Sequence, residues 1–301
     1  MKLKILGCHS ATPRTNTNPT SQVLEIKNHT FLIDCGEGTQ VELRRNKVKF
    51  VRIKHIFISH LHGDHFFGLV GLISTFRLLT READLHVYGP KGLKEIITLQ
   101  MKLTESWTNY KLIFHDLTSD VSELIFEDDK VEVYTIPLDH RIYTNGFLFK
   151  EKVGERKLDM NAVLNADIDI AYYRKLKQGF DVENNKGIRI SNESVTKPPN
   201  KPKSYAFCSD TAYNEAIVPI IKDVDVLYHE STFLDKNEKL AIPTKHSTAK
   251  QAASIAKQAN AGTLILGHYS TRYDDLNLFK EEATEIFQNV ELAKDGKSFE
   301  F

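Results

Sequence analysis

The chain of 301 residues is short of several things. No apolar run approaches the roughly 18 residues that a membrane-spanning helix requires, so no span is expected. Cysteine is sparse: Cys8, Cys35 and Cys208 are odd in number and widely spaced. That leaves no disulfide framework and points to a reducing, cytoplasmic setting. None of the three stands at ligand spacing from another, so each reads as a small buried side chain. Internal repeats and low-complexity tracts are absent. The opening stretch Met1-Lys2-Leu3-Lys4-Ile5-Leu6 lacks the apolar core of a leader and reads as a first strand. Net charge is also missing, with 40 Lys plus Arg against 40 Asp plus Glu. Proteins that grip nucleic acid leave a basic footprint, so contact with phosphate here has to be local.

Two stretches offer such local charge. One is Arg44-Arg45-Asn46-Lys47-Val48-Lys49, followed by Arg52 and Lys54. The other is residues 150–203, with 12 Lys plus Arg against 8 Asp plus Glu. A charge run is often only a solvated face. The second stretch is polar, ends in Pro198-Pro199-Asn200-Lys201-Pro202 and interrupts the pattern around it, which marks an inserted arm and not a core element or an independent domain. Around it, 41% apolar and 27% charged residues are ordinary for a soluble protein with a full core, and residues 1–301 read as one domain.

Short β-branched and aromatic runs recur, and several stop just before a His or an Asp. Ile56-Phe57-Ile58-Ser59 leads into His60, and Val133-Tyr134-Thr135-Ile136 leads past Pro137 to His140. Tyr205-Ala206-Phe207 leads to Asp210, Val226-Leu227-Tyr228 to His229 and Glu230, and Leu264-Ile265-Leu266 to His268. Runs of this length and composition predict buried strands whose ends carry a site. Between them, helices are expected over Phe66–Leu79, from Pro90 to Leu103, from Thr248 to Ala259 with Gly262 as its stop, and over Leu278–Phe287. Thr248-Ala249-Lys250-Gln251 has the form of a capping box.

The densest chemistry lies in Ser59-His60-Leu61-His62-Gly63-Asp64-His65, three His and one Asp within six positions after a buried strand. Packing does not explain that density, and imidazole nitrogen with carboxylate oxygen is a zinc-binding donor set. His60 and His62, alternating in an extended turn, can face one metal. Asp64 and His65, opening the next helix, can turn to a second.

His-x-His-x-Asp-His resembles the signature of the metallo-β-lactamase superfamily, and His140, Asp210 and His268 stand where that superfamily supplies its later ligands. The resemblance implies an α/β fold, a four-layer αβ/βα sandwich, here with an inserted flexible arm. It implies two zinc ions per subunit: one held by His60, His62 and His140, the other by Asp64, His65 and His268, with Asp210 shared. Two such ions activate water and clamp a phosphoryl group, but the same fold serves lactones, thioesters, β-lactams and sulfates, so the fold alone does not name the substrate.

Further segments narrow the resemblance. Phe31-Leu32-Ile33-Asp34-Cys35-Gly36-Glu37-Gly38-Thr39-Gln40, Tyr228-His229-Glu230-Ser231-Thr232-Phe233, Lys245-His246-Ser247-Thr248 and Gly267-His268-Tyr269-Ser270-Thr271-Arg272-Tyr273 occur in order and resemble the ribonuclease Z family. In two places the chain departs from that family. Thr17 stands where many members carry the Arg of an Arg-Asn pair completed here by Asn18. In the arm, Lys157-Leu158-Asp159 and Tyr173-Arg174-Lys175-Leu176-Lys177-Gln178-Gly179 resemble the family's tRNA clamp, but Asn165-Ala166-Asp167-Ile168-Asp169-Ile170-Ala171 replaces its Gly-Pro-rich centre.

The resemblance implies a homodimer that hydrolyses precursor tRNA, leaving a 3′-hydroxyl on the tRNA and a 5′-phosphate on the trailer. Asp64 would orient the attacking water and take its proton. His246, backed by Glu230, would protonate the departing 3′ oxygen. Three other readings share parts of this pattern: a small-molecule phosphodiesterase or arylsulfatase-like hydrolase, a processive exonuclease, and a non-catalytic RNA-binding protein that has kept the fold. The arm weighs against the first, its small size against the second, and the intact ligand set against the third.

Overall fold

The structure is a computed structural model that describes residues 1–301. Its first half is built from β1 (Lys2–Gly7), β2 (Ser21–Ile26), β3 (His29–Ile33), β4 (Ile53–Phe57), β5 (Leu85–Pro90) and β6 (Leu112–Leu117). Helices α1 (Thr39–Arg45), α2 (Gly63–Phe66), α3 (Leu69–Leu78) and α4 (Leu93–Leu103) run between them. The chain continues through β7 (Leu124–Glu127), β8 (Val131–Leu138) and β9 (Thr144–Glu151). After residues 152–203 it resumes with β14 (Ser204–Cys208), β15 (Val226–Glu230), β16 (Thr263–Gly267), β17 (Val290–Leu292) and β18 (Ser298–Glu300). The numbers between belong to the short strands β10 (Lys157–Leu158), β11 (Val182–Glu183), β12 (Arg189–Ile190) and β13 (Thr196–Lys197).

Two seven-stranded mixed sheets result, ordered β18-β1-β2-β3-β4-β5-β6 and β17-β16-β15-β14-β9-β8-β7. The strands β3 to β6, and β14 to β17, pair in parallel. Parallel strands are covered on both faces and read as unbroken apolar runs, which is why Tyr205–Cys208, Val226–Glu230 and Leu264–Gly267 are buried throughout. Phe31, Phe57 and Tyr88 of the first sheet meet Phe147, Phe149 and Tyr205 of the second in one core. On the outer face of the first sheet, Leu32, Ile56 and Val87 pack under Leu72, Ile73 and Phe76 of α3 and Ile97 of α4. On the second sheet α9 (Ala249–Gln258) and α10 (Asn277–Thr284) do the same, through Ala252, Ile255, Ala256 and Phe279. A further helix, α8 (Glu238–Thr244), precedes α9.

The expected helix over Phe66–Leu79 is two helices, α2 and α3, because the Gly68 N–H leaves the helical ladder and donates to the Cys35 carbonyl at 2.9 Å, an approach so close that a Cβ on Gly68 would stand 2.1 Å from the Gly36 carbonyl. Pro90 ends β5 instead of opening a helix; α4 starts after Gly92, whose φ of 101° is open to glycine but strained for other residues. Thr248 and Gln251 form the capping box in both directions.

Residues 128–130 and 151–202 make a second compact unit, distinct by its contacts from the rest of the chain. Its centre is a small apolar cluster of Val163, Ile168, Leu176, Val182 and Val195. Two short ladders, β10 with β13 and β11 with β12, and the helices α5 (Met160–Asn165), α6 (Tyr173–Lys177) and α7 (Asn192–Val195) surround it. Asp159 caps α5 by accepting from the Ala162 amide. Asn192 bonds the carbonyls of Leu176 and Phe180 through Nδ2, tying α7 to the end of α6.

Candidate metal centre

Seven side chains named from the sequence meet at the C-terminal ends of the strands. His60 and His62 lie on the loop after β4, Asp64 and His65 in α2, His140 just past β8, Asp210 just past β14 and His268 directly after β16. They fall into two overlapping sets that share Asp210. In one, His60 Nε2 stands 3.0 Å from His62 Nδ1 and 3.6 Å from Asp210 Oδ2, and His140 Nε2 is 3.3 Å from His62 Nδ1. In the other, His65 Nε2 and His268 Nε2 stand 3.4 and 3.3 Å from Asp64 Oδ2, and 3.4 and 3.2 Å from Asp210 Oδ1.

Two nitrogens bound to one tetrahedral zinc are about 3.3 Å apart, given bonds of about 2.0–2.1 Å. Both sets have that spacing, with His, Asp and no other donor type. His65 Nε2 and Asp210 Oδ1 are buried and make no hydrogen bond although they are neighbours. Buried polar atoms are rarely left this way, and a cation between them would satisfy both. The residues therefore fit a pair of metal ions.

The opposite ring nitrogens are held from behind. His65 Nδ1 meets Asp34 Oδ2 at 2.7 Å, His140 Nδ1 meets the Lys245 carbonyl at 2.9 Å and His268 Nδ1 meets Thr232 Oγ1 at 2.8 Å. Ser59 Oγ lies 3.0 Å from His60 Nδ1 and donates to Asp34 Oδ2. Such partners fix which imidazole nitrogen faces the centre and how the ring is turned. Burial holds His60 well below, and His62 and His140 below, the ordinary imidazole range, so these rings stay neutral, the form that binds metal. Burial works the same way on His65, but the carboxylates of Asp210, Asp64 and Asp34 outweigh it and hold a proton on the ring. Three carboxylates about one imidazole are a demand for positive charge.

Two residues of the site have left-handed backbone, as do several turn residues elsewhere in the chain. Asp34 and His268 have φ of 55° and 60°, a left-handed conformation that costs of order 1–3 kcal/mol for residues other than glycine. The His268 turn is held by its own N–H, which donates to the Cys8 carbonyl at 2.7 Å. Gly36 lets the loop after β3 close on α2, since a Cβ there would stand 2.5 Å from the Asp64 carbonyl.

Beside the seven stands the pair named as acid and support. Glu230, the last residue of β15, is fully buried, and its Oε1 is 2.8 Å from His246 Nδ1. The amides of Thr211, Thr232 and Ser247 also donate to the Glu230 carboxylate. Burial opposes charge on His246, yet Glu230, by its charge and its hydrogen bond, carries the imidazole up to about 9. Both His246 and Asp64 line a cleft of about 660 Å³, with Arg141 and Arg272 at its walls. The structure thus brings all nine sequence-named residues together. It adds Asp34, Ser59 and Thr232, which carried no role in the sequence reading. Asp34 was findable there, since Phe31-Leu32-Ile33 is another buried run that stops at an Asp.

Ribonuclease Z from Cytophaga hutchinsonii is 49% identical over 299 residues, covering 99% of this chain and 95% of its own. Ribonuclease Z from Bacteroides fragilis is 44% identical over 295 residues, covering 98% and 97%. The chain belongs to the ribonuclease Z family. The crystal structure of the short form of human tRNase Z superposes with a TM-score of 0.73 at 28% identity, over 100% of this chain and 99% of that one. YhfI of Bacillus subtilis, a metallo-β-lactamase fold protein, has a TM-score of 0.69 at 18% identity and shares the fold. Residues 1–154, just over half of the chain, also match the model of a family described as Anti-Pycsar protein Apyc1, so the chain belongs to that family as well. The matched residues contain the run from His60 to His65.

Proposed function

We propose that this protein is a zinc-dependent endoribonuclease that removes 3′ trailers from precursor tRNA, leaving a 3′-hydroxyl on the tRNA and a 5′-phosphate on the trailer. The observation that carries the reading is the full-length match to ribonuclease Z relatives in a chain whose ligand atoms converge at zinc spacing. His60, His62, His140 and Asp210 would hold one zinc ion, and Asp64, His65, His268 and Asp210 the other. When bound, the pair supplies an activated water and a clamp for the scissile phosphodiester.

The protein's own groups do the rest. Burial opposes charge on Asp64, but the neighbouring His65 holds its carboxyl well below the usual carboxylate range in the metal-free site. With metal bound that part would pass to the cation, and the ionised carboxylate would orient the attacking water and accept its proton. His246 is bonded to Glu230 through Nδ1, which leaves Nε2 for the cleft. Charged at neutral pH, it can deliver a proton to the departing 3′ oxygen, and Glu230 stabilises that charge and fixes the ring. Arg141 and Arg272 put positive charge at the walls where an RNA phosphate would lie.

We assign residues 150–203 to an arm that holds tRNA, supported by its 12 basic against 8 acidic residues and its own small core. We also assign a homodimer; Phe67, Leu78, Leu99, Leu103 and Trp107, on and beside α2 to α4, are apolar and more than half exposed, and a second subunit would have them to cover. The three cysteines are free, in keeping with work in the cytoplasm, and no helix is long and apolar enough to cross a membrane.

The test is incubation of the purified protein with 3′-extended precursor tRNA, with and without an encoded CCA, followed by mapping of both ends. Release of the intact trailer with a 5′-phosphate is expected. Replacing Lys152 to Pro202 by a short Gly/Ser linker should raise KM for precursor tRNA sharply and leave hydrolysis of bis(p-nitrophenyl) phosphate within a few fold. No cleavage of the RNA beside brisk hydrolysis of small phosphodiesters would move the assignment to a small-substrate hydrolase.

A further inference from the structure

A second cluster of ligand-type side chains lies outside the pair of sites described above. Cys8 at the end of β1, His9 beside it and Asp295 between β17 and β18 bring one sulfur, one ring nitrogen and one carboxylate oxygen within 4.8 Å of one another. Cys8 Sγ is 3.4 Å from Asp295 Oδ1. A thiolate and a carboxylate oxygen on one tetrahedral zinc, with bonds of about 2.3 and 2.0–2.2 Å, stand about 3.5 Å apart. The two side chains therefore already hold the separation that a shared ion demands.

The carboxylate is also oriented as a ligating one is. Asn18 donates to Asp295 Oδ2 twice, from its backbone N–H at 2.8 Å and from Nδ2 at 3.0 Å, which leaves Oδ1 for the cysteine. The Cys8 carbonyl accepts from His268 and Tyr269, and the His9 N–H donates to the Asn18 carbonyl, so the backbone that carries both residues is pinned. The His9 ring sits edge-on to Tyr269. His9 and Asp295 open on a cavity of about 560 Å³, which gives an ion a route in and room for a water as fourth ligand.

We propose that Cys8, His9 and Asp295 form a third metal site, selective for zinc or a metal of similar softness. Binding exchanges the Cys8 thiol proton, now shared with Asp295, for the cation and releases it to solvent. The ion would fasten the end of β1 to the segment before β18. Between Cys8 and Asn18 lie Ser10, Ala11 and Thr12, which line the cleft, so an ion here would stiffen one wall of the cleft without touching its chemistry. A mixed thiolate, imidazole and carboxylate set suits zinc and disfavours magnesium and calcium, which take oxygen.

Cobalt(II) separates this site from the pair, because none of the seven residues of the pair is a cysteine. Metal-free full-length protein titrated with Co²⁺ should develop a near-ultraviolet thiolate-to-cobalt charge-transfer band in addition to the visible absorption of His- and Asp-bound cobalt. Cys8→Ser should abolish the ultraviolet band, keep the visible absorption and bind one ion fewer. His9→Ala, which leaves the thiol in place, should need at least tenfold more cobalt for the ultraviolet band. A native protein that fills its visible sites with no ultraviolet band overturns the proposal. So does a band that survives in Cys8→Ser, which would place the thiolate at Cys35 or Cys208.

Discussion

Two groups of histidines in this protein, one on loops and a short helix after β4, β8 and β16 and one within β3 to β6, behave as different materials. At the C-terminal ends, His60, His62, His65, His140 and His268 aim ring nitrogens at common points, with Asp64 and Asp210 between them. On the face of the first sheet, His29, His55, His86 and His115 step across β3 to β6, one per strand. There the rings stack: His55 on His86 at 5.0 Å, His86 on His115 at 5.2 Å and Tyr88 on His115 at 4.2 Å between centroids. Phe126 closes the row against His29 and His55. The causes of the His55 shift include no carboxylate, and burial followed by the charges of His86, His29 and His115 brings it down to about 3. Stacked rings bury aromatic surface; convergent nitrogens backed by carboxylates create a demand for a cation. Counting histidines does not distinguish the two.

Breaking the convergent group should have the largest effect. Asp210→Ala removes the one ligand common to both sets, and elemental analysis should find metal content falling toward zero, with cleavage of precursor tRNA at background. His62→Ala should also abolish cleavage but spare more of the metal. Next in size, His246→Ala should lower kcat on precursor tRNA by roughly 10²–10⁴, the usual range for a lost general acid, with zinc content intact. A p-nitrophenyl phosphodiester, whose leaving group needs little protonation, should lose far less. Equal losses on both substrates would reassign His246 to a structural role.

The supporting residues come third. Asp34→Asn keeps the shape behind His65 but weakens its hold on the ring, and losses of this kind are about 10–100-fold in metal affinity or activity. A zinc competition assay with a chromophoric chelator reads the affinity directly.

The stacked row should respond smallest in activity and visibly in stability. The His55 imidazole titrates near 6.5 when exposed and at about 3 in the fold. The unfolded chain therefore binds the extra proton first, and stability present above pH 6.5 is lost as pH falls from 6.5 toward 3. His55→Phe should keep zinc content and cleavage unchanged and move the acid-unfolding midpoint, followed by circular dichroism, to lower pH. Loss of zinc in this variant would erase the distinction between the two groups.

The convergent group was legible in the sequence because its chemistry is local at both ends: a dense run from His60 to His65, then single residues each stopping a buried strand. Parallel strands with apolar faces on both sides made those stops visible, and the sheet order put them along one edge. What the sequence left dark was contact between residues without such a stop. Asp34 does stop a buried run, yet nothing in the chain pairs it with His65, and Ser59 and Thr232 are ordinary hydroxyls until the fold places them against His60 and His268. The break of one expected helix at Phe67–Gly68 goes with the Gly68 N–H bonding the Cys35 carbonyl, some 30 residues away in the chain, which periodicity cannot see. Cys8 looked like one more buried small residue for the same reason: Asn18 and Asp295 reach it only in three dimensions.

The measurement that bears most directly on the convergent group is cleavage of 3′-extended precursor tRNA by the same preparation before metal stripping, after it, and during zinc titration. The account predicts that cleavage disappears with the metal and returns in full once the pair of sites is refilled, with a trailer bearing a 5′-phosphate. Full cleavage by protein shown to be metal-free in strong chelator would contradict it.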